Sequence, residues 1–245
     1  MIDVAFLGTD VRAADTAVVI DVLRASSTIT LALASGYERV RVAGSIDEAK
    51  TLRADDRVLA GEVNCEPAPG FDLGNSPEET REPRGAELVL ATTNGAPAIV
   101  ASAEVAGEVL VASLLNLDAV VAQIEDGGDV LLVCAGTDGS VSLDDVYVAG
   151  RLSAALGGER TDAARVAEAV AAAFATPLEA LEASAGAVGV REAGLEQDIA
   201  FCAQESIVDV VPRLAETVDG VAIIEPAATA APATAAGGGE IDPNP

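Results

Sequence analysis

Short runs of Val, Leu and Ile, interrupted by Gly, Asp and polar turn residues, alternate with stretches of helical spacing over residues 1–157. The runs predict strands near 3–7, 17–22, 39–43, 57–61, 87–92, 108–111 and 129–134. Strands that are apolar throughout are expected where both faces of a sheet are covered. Between them the pattern predicts helices near 27–35, 46–53, 95–103, 116–125 and 143–156. Ser45-Ile46-Asp47-Glu48 reads as a capping box, and Ser142-Leu143-Asp144-Asp145 as a related N-cap. Ser76-Pro77-Glu78-Glu79 places Pro at the first helical position behind a Ser cap. The alternation predicts an α/β sandwich with a largely parallel or mixed sheet. From residue 160 the texture changes. Residues 161–206 are rich in Ala and Glu with helical spacing, short strands are expected at 207–211 and 220–224, and the tail from Pro226 is Ala, Thr, Pro and Gly. We read 1–225 as one α/β domain, with halves of about 1–157 and 158–225 as the alternative division. The tail 226–245 is expected to be disordered. No convincing internal repeat is visible.

Charge changes this picture most. The chain of 245 residues has 40 acidic and 14 basic residues, a net charge of -26, and Lys50 as its single lysine. Self-repulsion of this size weakens a fold at low salt, and screening shortens its range to roughly 3 Å at 1 M. Adaptation to a salt-rich cytoplasm therefore explains most surface carboxylates without any catalytic role. The same charge argues against nucleic acid as a partner, because no basic patch exists to neutralise phosphates. Cys65, Cys134 and Cys202 are odd in number and widely spaced, with no disulfide framework or CxxC zinc pattern, which fits a reducing cytosol. Asp3 and Asp10 interrupt the N-terminal apolar stretch, so no signal peptide is expected. No run of 18 apolar residues exists, so no membrane span is expected either. The expectation is a cytoplasmic protein. Its oligomeric state is not readable, and a homodimer is only a guess.

Missing residues remove whole mechanisms. The chain has no His, which excludes histidine phosphatases, His-ligated zinc or iron, Ser-His-Asp hydrolysis and Cys-His thiol catalysis. No Arg follows any Cys at the spacing of a cysteine-phosphatase loop, Asp21-Val22-Leu23 lacks the second Asp of a phosphoaspartyl motif, and no Gly-rich phosphate loop with Lys is present. What remains is chemistry of carboxylates, Arg, hydroxyls and backbone amides. Oxygen ligands of that kind favour Mg²⁺ over softer metals.

The sharpest constellation is Val18-Val19-Ile20-Asp21-Val22-Leu23-Arg24-Ala25-Ser26-Ser27-Thr28. A buried strand there delivers Asp21 and Arg24 to its end, and Ser26 and Ser27 open a helix. Burying either charge alone is costly, so each is paired, metal-bound or facing a cleft. Asp21 suits a metal ligand, base or nucleophile, and Arg24 a bidentate anion clamp; a structural ion pair is the plainer alternative. Glu62 follows the strand that ends at Gly61, a usual place for ligand contact, but a solvated loop carboxylate fits equally well. Pro69-Gly70-Phe71-Asp72-Leu73-Gly74-Asn75-Ser76-Pro77 is either a binding loop using Asp72 and Asn75 or turn and cap chemistry. At Thr92-Thr93-Asn94-Gly95 a strand meets a helix start whose amides suit a phosphate or sulfonate. Ser113-Leu114-Leu115-Asn116 is similar, with Asn116 as a plain N-cap the simpler local reading. Cys134-Ala135-Gly136-Thr137-Asp138-Gly139-Ser140 resembles an anion-holding loop, with Gly136 and Gly139 in it. Asp144 and Asp145 behind it either complement a helix dipole or hold Mg²⁺. A buried Cys134 is most simply a small apolar residue.

In this order the motifs VIDVLRASST, GE, GFDLGNSP, TTNG, SLLN and CAGTDGSVSLDD resemble the 2-phosphosulfolactate phosphatase family of coenzyme M biosynthesis. The resemblance is strong over about 15–155 and continues more weakly through Asp198-Ile199-Ala200-Phe201-Cys202 and Val210-Val211-Pro212. It implies a three-layer α/β/α fold peculiar to that family and an Mg²⁺-dependent hydrolysis of (R)-2-phospho-3-sulfolactate to 3-sulfolactate and phosphate. On that basis some of Asp21, Glu62, Asp144 and Asp145 would bind Mg²⁺, while Thr93, Asn94, Gly95 and Asn116 would contact the oxygens of a small anionic phosphorylated substrate. A phosphatase for another small phosphorylated hydroxy acid, and a non-catalytic anion-binding protein, stay open as alternatives.

Overall fold

The apolar runs pair into one ten-stranded mixed sheet in the computed structural model, which describes residues 1–63, 65–124 and 128–228. The strands are β1 (Ile2–Ala5), β2 (Ala14–Ile20), β3 (Arg39–Ala43), β4 (Arg57–Val63), β5 (Glu66–Pro67), β6 (Glu87–Ala91), β7 (Ala106–Ala112), β8 (Val130–Cys134), β9 (Pro212–Val218) and β10 (Val221–Pro226). Their spatial order is β1-β8-β2-β7-β9-β10-β3-β6-β4-β5. β1, β8, β2 and β7 run parallel to one another, as do β3, β6 and β4, while β5 lies antiparallel on β4 at the edge. The β9–β10 hairpin is antiparallel to β7 on one side and β3 on the other, and so joins the two parallel sets. Asp219 and Gly220 turn this hairpin with φ of 50° and 85°, the left-handed pair that a tight two-residue hairpin needs.

The helices are α1 (Ala25–Ser35), α2 (Ile46–Thr51), α3 (Gly95–Ala103), α4 (Leu117–Gln123), α5 (Leu143–Ala155), α6 (Asp162–Ala172), α7 (Pro177–Glu182), α8 (Ala185–Glu192) and α9 (Glu196–Cys202). Alternate strand residues divide between the faces. Val18, Ile20, Leu110 and Leu132 pack with Val120 of α4 and Val148 and Leu152 of α5. Val19, Val111, Leu131 and Val133 pack with Ile29 of α1 and Ile99 of α3. Beyond the hairpin, Val40, Val42, Leu88 and Leu90 join that second core, while Leu59 and Val89 turn to Ala49 of α2. The result is a three-layer α/β/α arrangement. With helices on both faces, every residue of β6 and β8 is buried, which is why these strands read as unbroken apolar runs rather than alternating ones.

Three departures from the sequence reading have local causes. β2 stops at Ile20, so Asp21 lies just past the ladder rather than within it. Residues 207–211 are extended but form no strand. The amides of Ile207 and Val208 donate to the carbonyl of Leu115, and Asn116 Nδ2 donates to that of Val210, so this stretch is held by a turn and strand pairing begins only at Pro212. The capping signals are also only partly used as caps. Ser45 Oγ accepts from Glu48 N at 3.1 Å, but the Glu48 carboxylate accepts from Gly44 N, one residue short of the box. Ser142 and Ser76 make no cap bond. Their hydroxyls donate instead to Asp144 and Asp198. Residues 229–245 of the expected tail lie outside the described residues. Among the described residues no helix is long and apolar enough to cross a membrane.

Candidate active site

The C-terminal ends of β2, β4 and β6 open into one cleft lined by Asp21, Arg24, Glu62, Asn75, Thr92, Thr93 and Asn94, with Ser45 and Ile46 from the start of α2. Local sequence explains the meeting. Ala25 N donates to Asp21 Oδ1 at 3.4 Å, so the carboxylate sits at the first turn of α1. A Cβ placed on Gly95 would come within 2.9 Å of Asp21 Oδ2 and 3.3 Å of the Ala25 Cβ. The start of α3 can thus approach Asp21 closely only because residue 95 has no side chain. Two helix N-termini, each with a positive dipole end, converge on one carboxylate.

Behind Asp21 lie two more carboxylates from the start of α5. Asp144 and Asp145 are 2% and 3% exposed, which for ionisable groups calls for specific partners. Asp145 takes N–H bonds from Val22 and Gly136, both at 3.0 Å, and so ties the turn after β2 to the turn after β8. Gly136 adopts φ 73°, which favours glycine at that turn. Asp144 accepts from the Ser142 hydroxyl, and a Cβ on Gly186 of α8 would sit 3.5 Å from its Oδ2.

Among the described residues no arginine forms an ion pair with this group. Burial, then repulsion from Asp144, raises the Asp21 pKa to about 7. Burial also raises Asp144, and burial with repulsion from Asp144 and Asp21 raises Asp145 well above the ordinary carboxylate range. Cys134 is inert by the same physics, since burial and then Asp145 and Asp144 hold its thiol well above its usual value.

Arg24 does not pair with Asp21. Its Nη1 donates to Asp198 Oδ2 at 2.6 Å, and Ser76 Oγ donates to the other oxygen of Asp198 at 2.7 Å. The Leu23–Arg24 peptide bond that precedes this pair is cis. Arg24 Nη2 and Asn75 Oδ1 are buried without hydrogen-bond partners, and both residues line the cleft.

The other residues singled out from sequence are divided. Thr93 and Asn94 line the cleft, and Asn94 Oδ1 also accepts from Asp138 N at 3.3 Å. Ser26 and Ser27 are buried and bond locally, Ser26 Oγ to Asp21 N and Ser27 Oγ to Val22 O. Gly139 shapes the tip of its turn with φ 71°. Asp72 is not brought to the cleft. It faces a separate surface cavity with Arg53, Arg57 and Arg84 and accepts from Leu59 N. Nor is Asn116, which is fully buried with its amide spent on Ser113 N, Val111 O and Val210 O. Sequence reasoning assigned no site role to Asp198 or Ser45. Asp198 carried the same signal as Asp21, an acidic residue beside the apolar run Ile199-Ala200-Phe201-Cys202. Ser45 was hidden by its capping role.

Among the described residues no three metal-binding side chains form a ready-made cluster. The donors nevertheless fit Mg²⁺. They are hard oxygens bearing unrelieved negative charge, and that ion commonly uses only one or two carboxylates, completing its shell with water and substrate phosphate.

A model of the 2-phosphosulpholactate phosphatase family matches residues 6–217. A Thermus thermophilus protein named "Probable 2-phosphosulfolactate phosphatase" is 41% identical over 208 residues, covering 82% of this chain and 88% of its own length. Proteins of the same name from Thermotoga petrophila and Deinococcus radiodurans are 39% identical over 229 residues and 38% over 210. They cover 92% and 82% of this chain, and 99% and 88% of their own.

Proposed function

The chain belongs to the 2-phosphosulpholactate phosphatase family, and from that premise we propose that it hydrolyses 2-phospho-3-sulfolactate to 3-sulfolactate and phosphate with Mg²⁺. It is a phosphatase, a phosphoric monoester hydrolase. The observation that carries the finer reading is the juxtaposition, in one cleft, of carboxylates without a counter-ion and an arginine with a free amino group. This substrate bears a phosphate, a sulfonate and a carboxylate. In a protein of net charge -26 only local positive character can hold a substrate with three anionic groups. Arg24 Nη2, the positive dipole ends of α1 and α3 and a bound cation supply it.

Asp21 and Glu62 face the cleft and would hold Mg²⁺, with Asp144 and Asp145 deepening the negative potential behind them. When bound, the ion would withdraw charge from the phosphoryl oxygens and relieve carboxylate repulsion. Thr93 and Asn94 would hold substrate oxygens, and Arg24 an oxyanion of the substrate. Gly95 keeps the start of α3 against Asp21, and Asp145 keeps the two turns around it in register.

The test is phosphate release at high salt from 2-phosphosulfolactate, with and without Mg²⁺, beside phospholactate and other phosphorylated hydroxy acids. The expected result is turnover that needs Mg²⁺ and prefers the sulfonate. Failure to release phosphate, or full turnover in EDTA, would overturn the proposal.

A further inference from the structure

We propose that Asp198 is a positioning residue for Arg24: it grips one amino group of the guanidinium and leaves the other presented to an oxyanion of the substrate. This rests on the reading above, in which Arg24 binds substrate. The pair spans 174 residues of sequence and is buried, with side-chain exposures of 2% and 0%. Such a pair is a poor device for stability, because desolvating two charges cancels most of their attraction. Its geometry is the better explanation. One oxygen of Asp198 accepts from Arg24 Nη1 and the other from Ser76 Oγ, so a single carboxylate of α9 fixes both the turn after β2 and the loop that carries Asn75.

The two groups so fixed are, of the four buried side-chain polar atoms without partners among the described residues, the two that belong to the cleft. Arg24 Nη2 and Asn75 Oδ1 are both buried in cleft-lining residues, where a polar group without a partner loses its bonds to water and gains none in return. A half-turn of the Asn75 amide would bring its NH₂ to the place of Oδ1. An oxyanion of the substrate would then meet two donors. Asp198 itself lines no part of the cleft and acts only through Arg24 and Ser76.

A double-mutant cycle on the full chain tests this. Asp198→Asn keeps the shape and removes the charge; Arg24→Lys keeps a charge for Asp198 and removes Nη2. Each should raise KM for the phosphosulfonate by about 30-fold, with kcat changed by less than about threefold. The double variant should be no worse than the weaker single one, because both act through one contact. Additive losses, an unchanged KM in Asp198→Asn beside a raised one in Arg24→Lys, or a fall confined to kcat would each overturn the proposal. An unchanged KM in Arg24→Lys would instead remove the substrate-binding reading of Arg24, and this proposal with it. If Asp198→Asn does not fold, Ser76→Ala replaces it in the cycle. It loosens Asp198 without breaking the ion pair, and an unchanged KM there would overturn the proposal equally.

Discussion

Strand β6 begins in one cluster of charges and ends beside another, and the two are handled in opposite ways. At its start Glu87 accepts from Arg41 Nε at 2.6 Å and Arg57 Nε at 2.8 Å, with Arg39 Nε at 3.4 Å. Past its end, Asp21, with Asp144 and Asp145 behind it, makes no ion pair among the described residues, and the nearby Arg24 is paired with Asp198 instead. Hydrogen bonding from Arg41 pulls the Glu87 pKa below its usual value, while burial pushes Asp21 up to about 7. This chain has few cations, and it places three guanidiniums around one structural carboxylate while leaving Asp21 in the cleft, and Asp144 and Asp145 behind it, without an ion-pair partner among the described residues. The first cluster is satisfied within the fold. The second carries a repulsion that only something outside the chain relieves, which is the physical signature of a binding site.

The sharpest way to break the comparison is Asp21→Asn. Under the proposed function it lowers phosphate release by about a thousandfold or more while the melting temperature stays level or rises, because a repelling charge is removed. Retained activity would sink the role given to Asp21. Gly95→Ala should cost about a hundredfold, since its Cβ would press on Asp21 Oδ2 at 2.9 Å. Circular dichroism should show the fold intact. At the other end of β6, Glu87→Gln should destabilise the protein by about 2 kcal/mol in denaturant unfolding, with KM unchanged in the folded enzyme. Its pH dependence has a definite sign. The folded pKa of Glu87 lies below the unfolded one, so its contribution is fully present above the unfolded value and is lost as pH falls through the folded value. The variant should therefore lose less stability than the parent on acidification below about pH 4.5. The smallest effect is the least local. Raising salt from about 0.1 to about 1 M should raise the melting temperature of all these variants by about 2–3 °C, by screening a net charge of -26. A flat response would show that self-repulsion contributes little to the stability of this fold.

Most of the sheet was legible because its strands are buried on both faces and leave unbroken apolar runs, as at Leu88-Val89-Leu90 and Leu131-Leu132-Val133. The 207–211 segment misled because Val208, Val210 and Val211 look like a strand, while their backbone groups are claimed by the Leu114–Asn116 turn. Within the cleft, Asp21, Glu62 and Thr92-Thr93-Asn94 were legible as polar residues at the ends of apolar runs, whereas Asn75 sat in a loop that read equally as binding loop or as turn. Asp72 and Asn116 have the same residue types in similar settings, yet their hydrogen bonds are spent on the fold. Local pattern cannot separate these cases, because a polar side chain in a turn looks the same whether its partner is the backbone or a ligand.

By itself, the sequence determined the α/β alternation, the exclusion of histidine and cysteine chemistry and the strand ends that carry Asp21 and Glu62, since each depends on residue type and short-range period alone. Only the tertiary structure decided that β9 and β10 join the two parallel sets, that Arg24 answers to Asp198 rather than to Asp21, and that Asp144 and Asp145 stand behind Asp21. Those outcomes depend on which distant groups share a buried space. There the cost of an unpaired charge is set by neighbours more than a hundred residues away in the chain.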